Sequence, residues 1–245
     1  MSNIVIVGSG PAGVSAALYA VRAGVDTTVL TKGPGALDRA EKIENYYGLA
    51  QPVSGAELER RSIENAKRLG VRFVTAEAVG LTYTDKLTVE TIGKDYPADA
   101  VILATGAFPR ELGLPDEQAL RGRGVAYCAA CDGMLYRGKT VVVNGGGNTA
   151  VGDALYLAKL CKKVYLVHRR DELRASAVYR DALRENGVEI LWNSRITALR
   201  KEKRLTGVEV EDLRTGARRE LFCDGLFVAI GRVPDTALFA GQVEL

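Results

Sequence analysis

Cys128 and Cys131 stand two residues apart in the stretch YCAACDG, and Asp132 directly follows the second cysteine. Two thiols at this spacing serve as half of a metal site, as a structural disulfide or as a redox couple. A structural zinc site takes four ligands, usually from two close pairs. Here there is one pair, with Cys161, Cys223 and the only histidine, His168, scattered elsewhere, so no metal site is expected. A disulfide framework belongs to small secreted chains, and 245 residues are enough for a sizeable core. Two readings remain. One is a redox couple, which works as the thiolate and whose C-x-x-C setting lowers a cysteine pKa. The other is a pair of inert buried thiols. Asp132 is placed for acid–base work on a sulfur; as the first half of Asp-Gly it is equally a turn residue.

Composition narrows the partners. The net charge of +3 is well mixed along a chain that is 47% hydrophobic, which predicts neither nucleic-acid nor membrane-surface binding. No apolar run approaches the ~20 residues of a membrane span. The start, MSNIVIVGSG, has no basic region ahead of its apolar run. The expectation is therefore a cytoplasmic protein without a signal peptide.

Something must position the cysteines, and the chain shows it twice. Residues 3–32 and 139–170 share one grammar: a short apolar run (Ile4 to Val7; Val141 to Val143), a glycine-rich turn, an alanine-rich stretch with helical periodicity, and a second β-branched run. That is the βαβ unit of a dinucleotide-binding fold. The glycines agree. Gly8, Gly10 and Gly13 make G-x-G-x-x-G, and Gly145, Gly147 and Ala150 make G-x-G-x-x-A. The first position allows the turn, the second lets backbone approach a pyrophosphate at the helix N-terminus, and the third lets helix and strand pack. A second echo, VILATGAFPR against LFVAIGRVPD, supplies each unit with a further strand.

The copies differ where the strand after the helix ends. An acid there suits the ribose of NAD, whereas arginine suits a 2′-phosphate. The second copy ends in His168-Arg169-Arg170, with Arg174 four residues on. Arg170 and Arg174 would share a face if a helical turn forms there, and guanidinium forks match phosphate geometry. The second unit is therefore expected to take NADPH. The first copy ends in Thr31-Lys32 without an acid. With the cysteines lying between two nucleotide sites, electrons would run from nicotinamide to flavin to disulfide to a partner disulfide.

The ordered motifs GSGPAG, ATGA, CAACDG, GGGNTAVGDALYL, HRRDELRAS and FVAIGRVPDTALF resemble, along essentially the whole chain, the low-molecular-weight thioredoxin reductases. The resemblance implies an α/β chain of two Rossmann-like, three-layer ββα domains, with the NADPH domain inserted in the FAD domain. The implied spans are 1–112 for the first part of the FAD domain, 113–240 for the NADPH domain carrying the C-x-x-C, and 241–245 for the start of the return. FAD would be held by Gly8, Gly10, Pro11, Ala12 and Gly13, by Asn45, and by Ala104, Thr105 and Gly106. NADPH would be held by Gly145, Gly147, Asn148, Thr149 and Ala150, by His168, Arg169, Arg170 and Arg174, and by Ile230 and Gly231. Cys131 would be the flavin-proximal sulfur, Cys128 the one that attacks a substrate disulfide, and Asp132 the general acid. The partner would be a thioredoxin-like or other disulfide-bearing protein, and the enzyme a homodimer. The family alternates two domain orientations, for which segments near Leu112 to Pro115 and Gly231 to Leu245 offer hinges.

The chain departs from the pattern in three places. The family would continue past GQVEL to complete the FAD domain. Its flavin-side Gly-Gly-Gln-Leu stretch reads Pro34-Gly35-Ala36-Leu37-Asp38-Arg39-Ala40 here, which opens the donor (ferredoxin) and the acceptor (a peroxiredoxin-type protein) to question. Asn144 stands where an apolar residue is usual, and a local hydrogen bond is expected of it. A reading of another class is a non-catalytic, redox-sensing nucleotide-binding protein. Cys161 and Cys223 read as packing residues, Tyr46-Tyr47 as aromatic packing, Arg121 and Arg123 as an exposed polar loop, and residues 54–71 as an amphipathic helix opened by a Ser54–Glu57 capping box.

Overall fold

The computed structural model describes residues 2–176 and 178–244. The backbone divides into two units, Met1–Ala107 with Pro234–Leu245, and Phe108–Val233. Met1 and Leu245, at the ends of two of the expected spans, lie outside the described residues.

In the first unit β1 (Asn3–Val7) runs parallel to β2 (Asp26–Thr31) through α1 (Pro11–Arg22). The apolar run of β1 needs cover on both faces, as strands of parallel sheets do. Pro11 starts α1 at the position that has no use for its missing N–H. Next, α2 (Gly55–Arg68) begins at Ser54, whose Oγ accepts the Glu57 N–H at 3.2 Å. The reciprocal half of the capping box is not made. The Glu57 carboxylate instead takes the guanidinium groups of Arg60 and Arg61, and these hydrogen bonds pull it down to about 2. The strands β3 (Arg72–Thr75), β4 (Ala78–Tyr83), β5 (Leu87–Thr91), β6 (Tyr96–Ala98) and β7 (Ala100–Leu103) follow. Among the described residues the parallel sheet has the order β3-β2-β1-β7, and β4-β5-β6 form an antiparallel layer of their own. Alternation along β1 splits the core. Ile6 packs with Val14, Ala17 and Ala66 on the helical side, while Val5 and Val7 pack with Leu81 and Val89 on the other. Phe239, fully buried, joins the second cluster, and Gln242 Oε1 accepts the Leu81 N–H at 3.0 Å. The chain has thus returned to this unit by Pro234, ahead of the 241–245 read from sequence.

The second unit repeats the plan. After β8 (Ala107–Pro109), which straddles the division, come β9 (Val125–Ala126), α3 (Ala129–Asp132), β10 (Thr140–Asn144), α4 (Asn148–Ala158), β11 (Lys163–Val167), α5 (Val178–Glu185) and β12 (Glu189–Leu191). The antiparallel β13 (Ser194–Lys201), β14 (Leu205–Asp212) and β15 (Arg218–Phe222) precede β16 (Gly225–Val228) and β17 (Arg232–Pro234). Among the described residues the parallel sheet runs β12-β11-β10-β16-β9. Val141 and Val143 face Ala154, Leu157 and Leu183 on the helical side, whereas Val142 faces Ile196, Val208 and Val210 beneath the antiparallel layer. Each unit is therefore three-layered, as expected. Cys161 lies in the turn after α4 rather than on the helix; burial raises its thiol to about 11, and that of the buried Cys223 to about 12. Neither is a ready thiolate.

Asp153 on α4 makes no hydrogen bond or ion pair among the described residues, and burial lifts its carboxyl to about 6. The folded-state value lies above the unfolded one, so ionisation opposes folding. The penalty is absent below about pH 4, grows as pH rises, and is complete above about pH 6. Asp153→Asn is therefore expected to be more stable than the parent at pH 8, by about 1 kcal/mol after allowance for its partial exposure. The two should be equally stable at pH 4. Urea denaturation at both pH values checks this.

Candidate functional site

Cys128 precedes the single turn of α3 and Cys131 lies within it; the two are joined as a disulfide with Cα atoms 5.3 Å apart. The Cys131 N–H points at Cys128 Sγ, 3.2 Å away. Cys128 is half-buried and Cys131 exposed. Behind them Gly133 is buried against α4, where a Cβ would sit 2.8 Å from the Tyr156 ring. The Asp-Gly pair therefore does make a tight junction, and this leaves Asp132 half-buried. Burial raises the Asp132 carboxyl, and the Arg121 charge partly opposes the rise. Such a group retains a proton further toward neutral pH than a free aspartate does, which suits an acid serving a sulfur. Arg121 is not the exposed loop residue read from sequence. It is half-buried, its guanidinium 4.9 Å from the Tyr127 ring centre; Arg123 is exposed.

On the same unit a cavity of about 470 Å³ opens over the start of α4. Gly145, Gly147, Asn148 and Thr149 line it from below, Ile230 and Gly231 from the segment after β16, and His168, Arg169, Arg170 and Arg174 from the segment after β11. Gly145 has φ +154°, and the Ala229 carbonyl occupies the place a Cβ would take. Gly147 caps α4 with no side-chain partner, and a Cβ there would meet nothing within 4 Å. The backbone N–H groups of the first helical turn thus face open space, the arrangement that accepts a pyrophosphate. Ala150 is buried against Gly145.

No helical turn unites Arg170 and Arg174. The segment is an irregular loop, held by the Arg174 N–H on the Gly146 carbonyl at 2.9 Å and by His168 Nε2 on the Glu172 carbonyl at 2.9 Å. Among the described residues the three arginines make no ion pair, so their guanidinium groups are available to an anion. His168 is buried, edge-on to Trp192, and its ring fills the space above Gly146. Burial lowers its pKa, leaving a neutral wedge beneath the glycine loop. The sequence reading missed Arg110, Ser194 and Arg195 in the lining, because they come from segments distant in the chain. Asn144 also lines the cavity, and among the described residues its amide makes no local hydrogen bond of the kind expected.

The first unit has the matching cradle. Gly8 (φ +111°) lies against the Ala104 carbonyl, Gly13 packs on Gly8 and Ala104, and nothing stands within 4 Å of a Cβ built on Gly10. Pro11 and Ala12 open α1 in exposed positions, and Gly10 caps it without a side-chain partner. These residues fit a second dinucleotide in the same way as those of the second unit. Thr105 and Gly106 (φ +85°) follow β7 beside this turn. The β2 end, where an acid is absent, carries Thr31, whose Oγ1 accepts the Ser9 hydroxyl at 2.7 Å. Asn45 is exposed, and among the described residues no hydrogen bond ties it to the glycine turn. The altered segment Pro34–Ala40 includes a 3-10 turn, Ala36–Arg39, and the Gly35 N–H meets Glu59 Oε1 at 3.4 Å.

Two cradles and a disulfide beside an aspartate are the parts of a nucleotide-dependent disulfide oxidoreductase. The sequence pattern of the pyridine nucleotide-disulphide oxidoreductases matches residues 2–245, and the chain belongs to that family. It is an NADPH- and FAD-dependent disulfide reductase. Thioredoxin reductase of Mycolicibacterium smegmatis is 42% identical over 99% of this chain and 79% of its own length, and that of Streptomyces clavuligerus 41% over 99% and 77%. Among solved structures, the thioredoxin reductase of Streptococcus pyogenes superposes with a TM-score of 0.84 at 35% identity, covering 98% of this chain and 80% of that one. The one from Giardia duodenalis gives 0.86 at 31% identity, covering 100% and 82%.

The two glycines of the second turn separate folding from binding. Gly147 has φ −92° and open space, so Gly147→Ala should melt like the parent; if a pyrophosphate approaches this glycine, the added methyl should weaken NADPH binding about tenfold. Gly145→Ala should instead lose about 1–3 kcal/mol of stability. Thermal melts and NADPH titration calorimetry on both variants check the contrast.

Proposed function

We propose that this chain works as a thioredoxin reductase: two electrons pass from NADPH by way of FAD to the Cys128–Cys131 disulfide, and from the dithiol to a thioredoxin-like protein. The observation that carries the reading is the Cys128–Cys131 disulfide with half-buried Asp132 behind it, on the same unit as the arginine-rimmed cavity. FAD, when bound, supplies the change from hydride to dithiol chemistry. In this assignment the first unit, Met1–Ala107 with the return segment from Pro234, binds FAD through the Gly8–Gly13 turn and Ala104–Gly106, and the second unit, Phe108–Val233, binds NADPH. Arg169, Arg170 and Arg174 take the 2′-phosphate, and the Gly147 end of α4 takes the pyrophosphate.

The chain's own residues then carry the exchange. The Cys128 thiolate attacks a sulfur of the partner disulfide, forming a mixed disulfide and releasing one partner thiolate, which takes a proton. Cys131 attacks Cys128 in turn, restoring the intramolecular disulfide and releasing the second partner sulfur. Two electrons and two protons leave the enzyme, and Asp132 is the group placed to give a proton to a departing sulfur. Among the described residues no helix is long and apolar enough to cross a membrane. A cytoplasmic homodimer is part of the proposal.

Anaerobic titration with NADPH, followed in the flavin absorption bands and by thiol counting, tests the path. Bleaching with Cys128 and Cys131 newly reduced is the expected result; bleaching with the disulfide intact would refute it. Arg170→Gln with Arg174→Gln should raise KM for NADPH about 10–100-fold and leave KM for NADH unchanged. Cys131→Ser should trap the partner on Cys128 as a mixed disulfide visible on a non-reducing gel.

A further inference from the structure

Tyr127, the residue before Cys128, is tied by its hydroxyl to a buried carboxylate. Glu117 is 2% exposed, and it accepts the N–H groups of Leu112 at 3.0 Å, Gly113 at 2.9 Å and Leu114 at 3.4 Å. It also accepts the Tyr127 hydroxyl at 2.8 Å. Oε1 takes Leu112 and Tyr127, and Oε2 takes Gly113 and Leu114, so one side chain joins two segments. The loop that carries it is fixed in turn. The Glu117 N–H bonds the Leu114 carbonyl at 3.3 Å, and Asp116 pairs with Lys201 of β13 at 2.6 Å. Leu112, Leu114 and Tyr127 also pack on one apolar cluster with Val125 and Leu226. The segment from Leu112, read from sequence as a hinge, is thus bonded into its own unit.

Among the described residues no cation pairs with Glu117. Burying a carboxylate without one is costly, and an apolar side chain would fill the space without that penalty. What the charge provides is strength: a hydrogen bond to an ionised acceptor is about twice as strong as a neutral one. Burial, with the Glu117 carboxylate beside it, holds the Tyr127 hydroxyl protonated well above its ordinary range, so the donor persists at neutral pH. Cys128 therefore follows a fixed segment. Ala126 is in register with Phe227 of β16, and Tyr127 is held at its ring by the Arg121 guanidinium and at its hydroxyl by Glu117. Beyond Cys128 the turn of α3 begins, with the Asp132 N–H on the Cys128 carbonyl at 3.1 Å.

We propose that Glu117 is a positioning residue for disulfide exchange: by clamping the Tyr127 hydroxyl to the backbone of residues 112–114, it holds Cys128 beside Cys131 and raises the effective concentration of one thiol at the other. In the disulfide form the sulfurs are joined covalently. Once reduced, they stay close only as far as their surroundings keep them there, and prearranged groups react at effective concentrations far above those of free solutes. The clamp therefore acts on the closing step, in which Cys131 attacks the mixed disulfide at Cys128 and releases the partner sulfur. The inference rests on the exchange proposed above, but its test needs neither thioredoxin nor turnover of a flavin.

The purified holoprotein is equilibrated anaerobically with mixtures of reduced and oxidised glutathione, and the state of Cys128 and Cys131 is read by thiol tagging and mass spectrometry. The dithiol and oxidised glutathione give the disulfide and two reduced glutathiones, so the equilibrium constant is the effective concentration of the pair. Glu117→Gln should lower it about tenfold, which makes the disulfide about 30 mV easier to reduce. Tyr127→Phe leaves the carboxylate its backbone donors and the ring its place. It should lower the constant about threefold, and it carries the test alone if Glu117→Gln does not fold. The double variant should fall no further than Glu117→Gln. An unchanged constant in either folded variant overturns the proposal, whatever its melting temperature, since a plain fold anchor shifts the melt and not the thiol equilibrium. Additive effects of the two substitutions also overturn it, because hydroxyl and carboxylate would then act separately. Failure of the parent to reduce thioredoxin would refute the thioredoxin reductase reading; the glutathione equilibrium would still report on the clamp.

Discussion

Both halves of this chain are organised around one steric fact. The first glycine of each nucleotide turn has no room for a Cβ, because a backbone carbonyl from the next parallel segment, that of Ala104 or Ala229, stands there. This contact draws three pieces of backbone together: the end of the first strand, the start of the helix, and the strand that arrives from far along the chain. Once they meet, the helix N-terminus is aimed at open space rather than at protein, and the loops after β2 and β11 fall at its rim. The binding surface follows from backbone closeness, and side chains only refine it. In the second unit they refine it by surrounding the opening with arginine and wedging a neutral imidazole under the loop.

The redox turn obeys the same kind of constraint at a smaller scale. Gly133 allows the turn to press on α4, and the pressure buries Asp132 enough to raise its carboxyl. Had α3 stood clear of the helix, Asp132 would be an ordinary solvated carboxylate beside an ordinary disulfide. The helix whose N-terminus opens onto the cavity is thus also the floor on which the disulfide turn rests. Its residues alternate in duty, with Asn148 and Thr149 at the cavity and Tyr156 and Leu157 under Gly133.

What could be read from the chain is what covalent geometry and period dictate. The glycine positions of 8–13 and 145–150, the alternation of Val141, Val142 and Val143, and the Ser54 cap are local patterns, and the repeated βαβ unit follows from them; the three-layer architecture came from the family resemblance. What could not be read depends on contacts between distant residues. Glu117 belongs to no sequence motif, and its burial arises only when residues 112–114 and Tyr127 converge on it. Arg121 looked like surface until Tyr127 was placed beneath it. Half of the Ser54–Glu57 box was lost to competition, because two arginines one turn on offered the carboxylate stronger partners than an amide. Asn144 was expected to satisfy itself nearby; its strand end opens onto the cavity instead.

The chain's two passages between units are each stitched from within. In the second unit the Arg110 N–H bonds the Gly231 carbonyl at 2.9 Å, and in the first the Asp235 N–H bonds the Gly106 carbonyl at 2.9 Å. The entire segment from Phe108 to Val233 therefore leaves and returns through a clasped neck. For the first unit, such an excursion has the thermodynamic character of a hairpin loop, whose closure entropy grows only logarithmically with length. Residues within the segment can lengthen, shorten or be exchanged wholesale at almost no conformational cost to the host, provided the clasp closes. The neck is thus a natural graft point, at which the nucleotide preference of one half is free to vary while the other is left undisturbed.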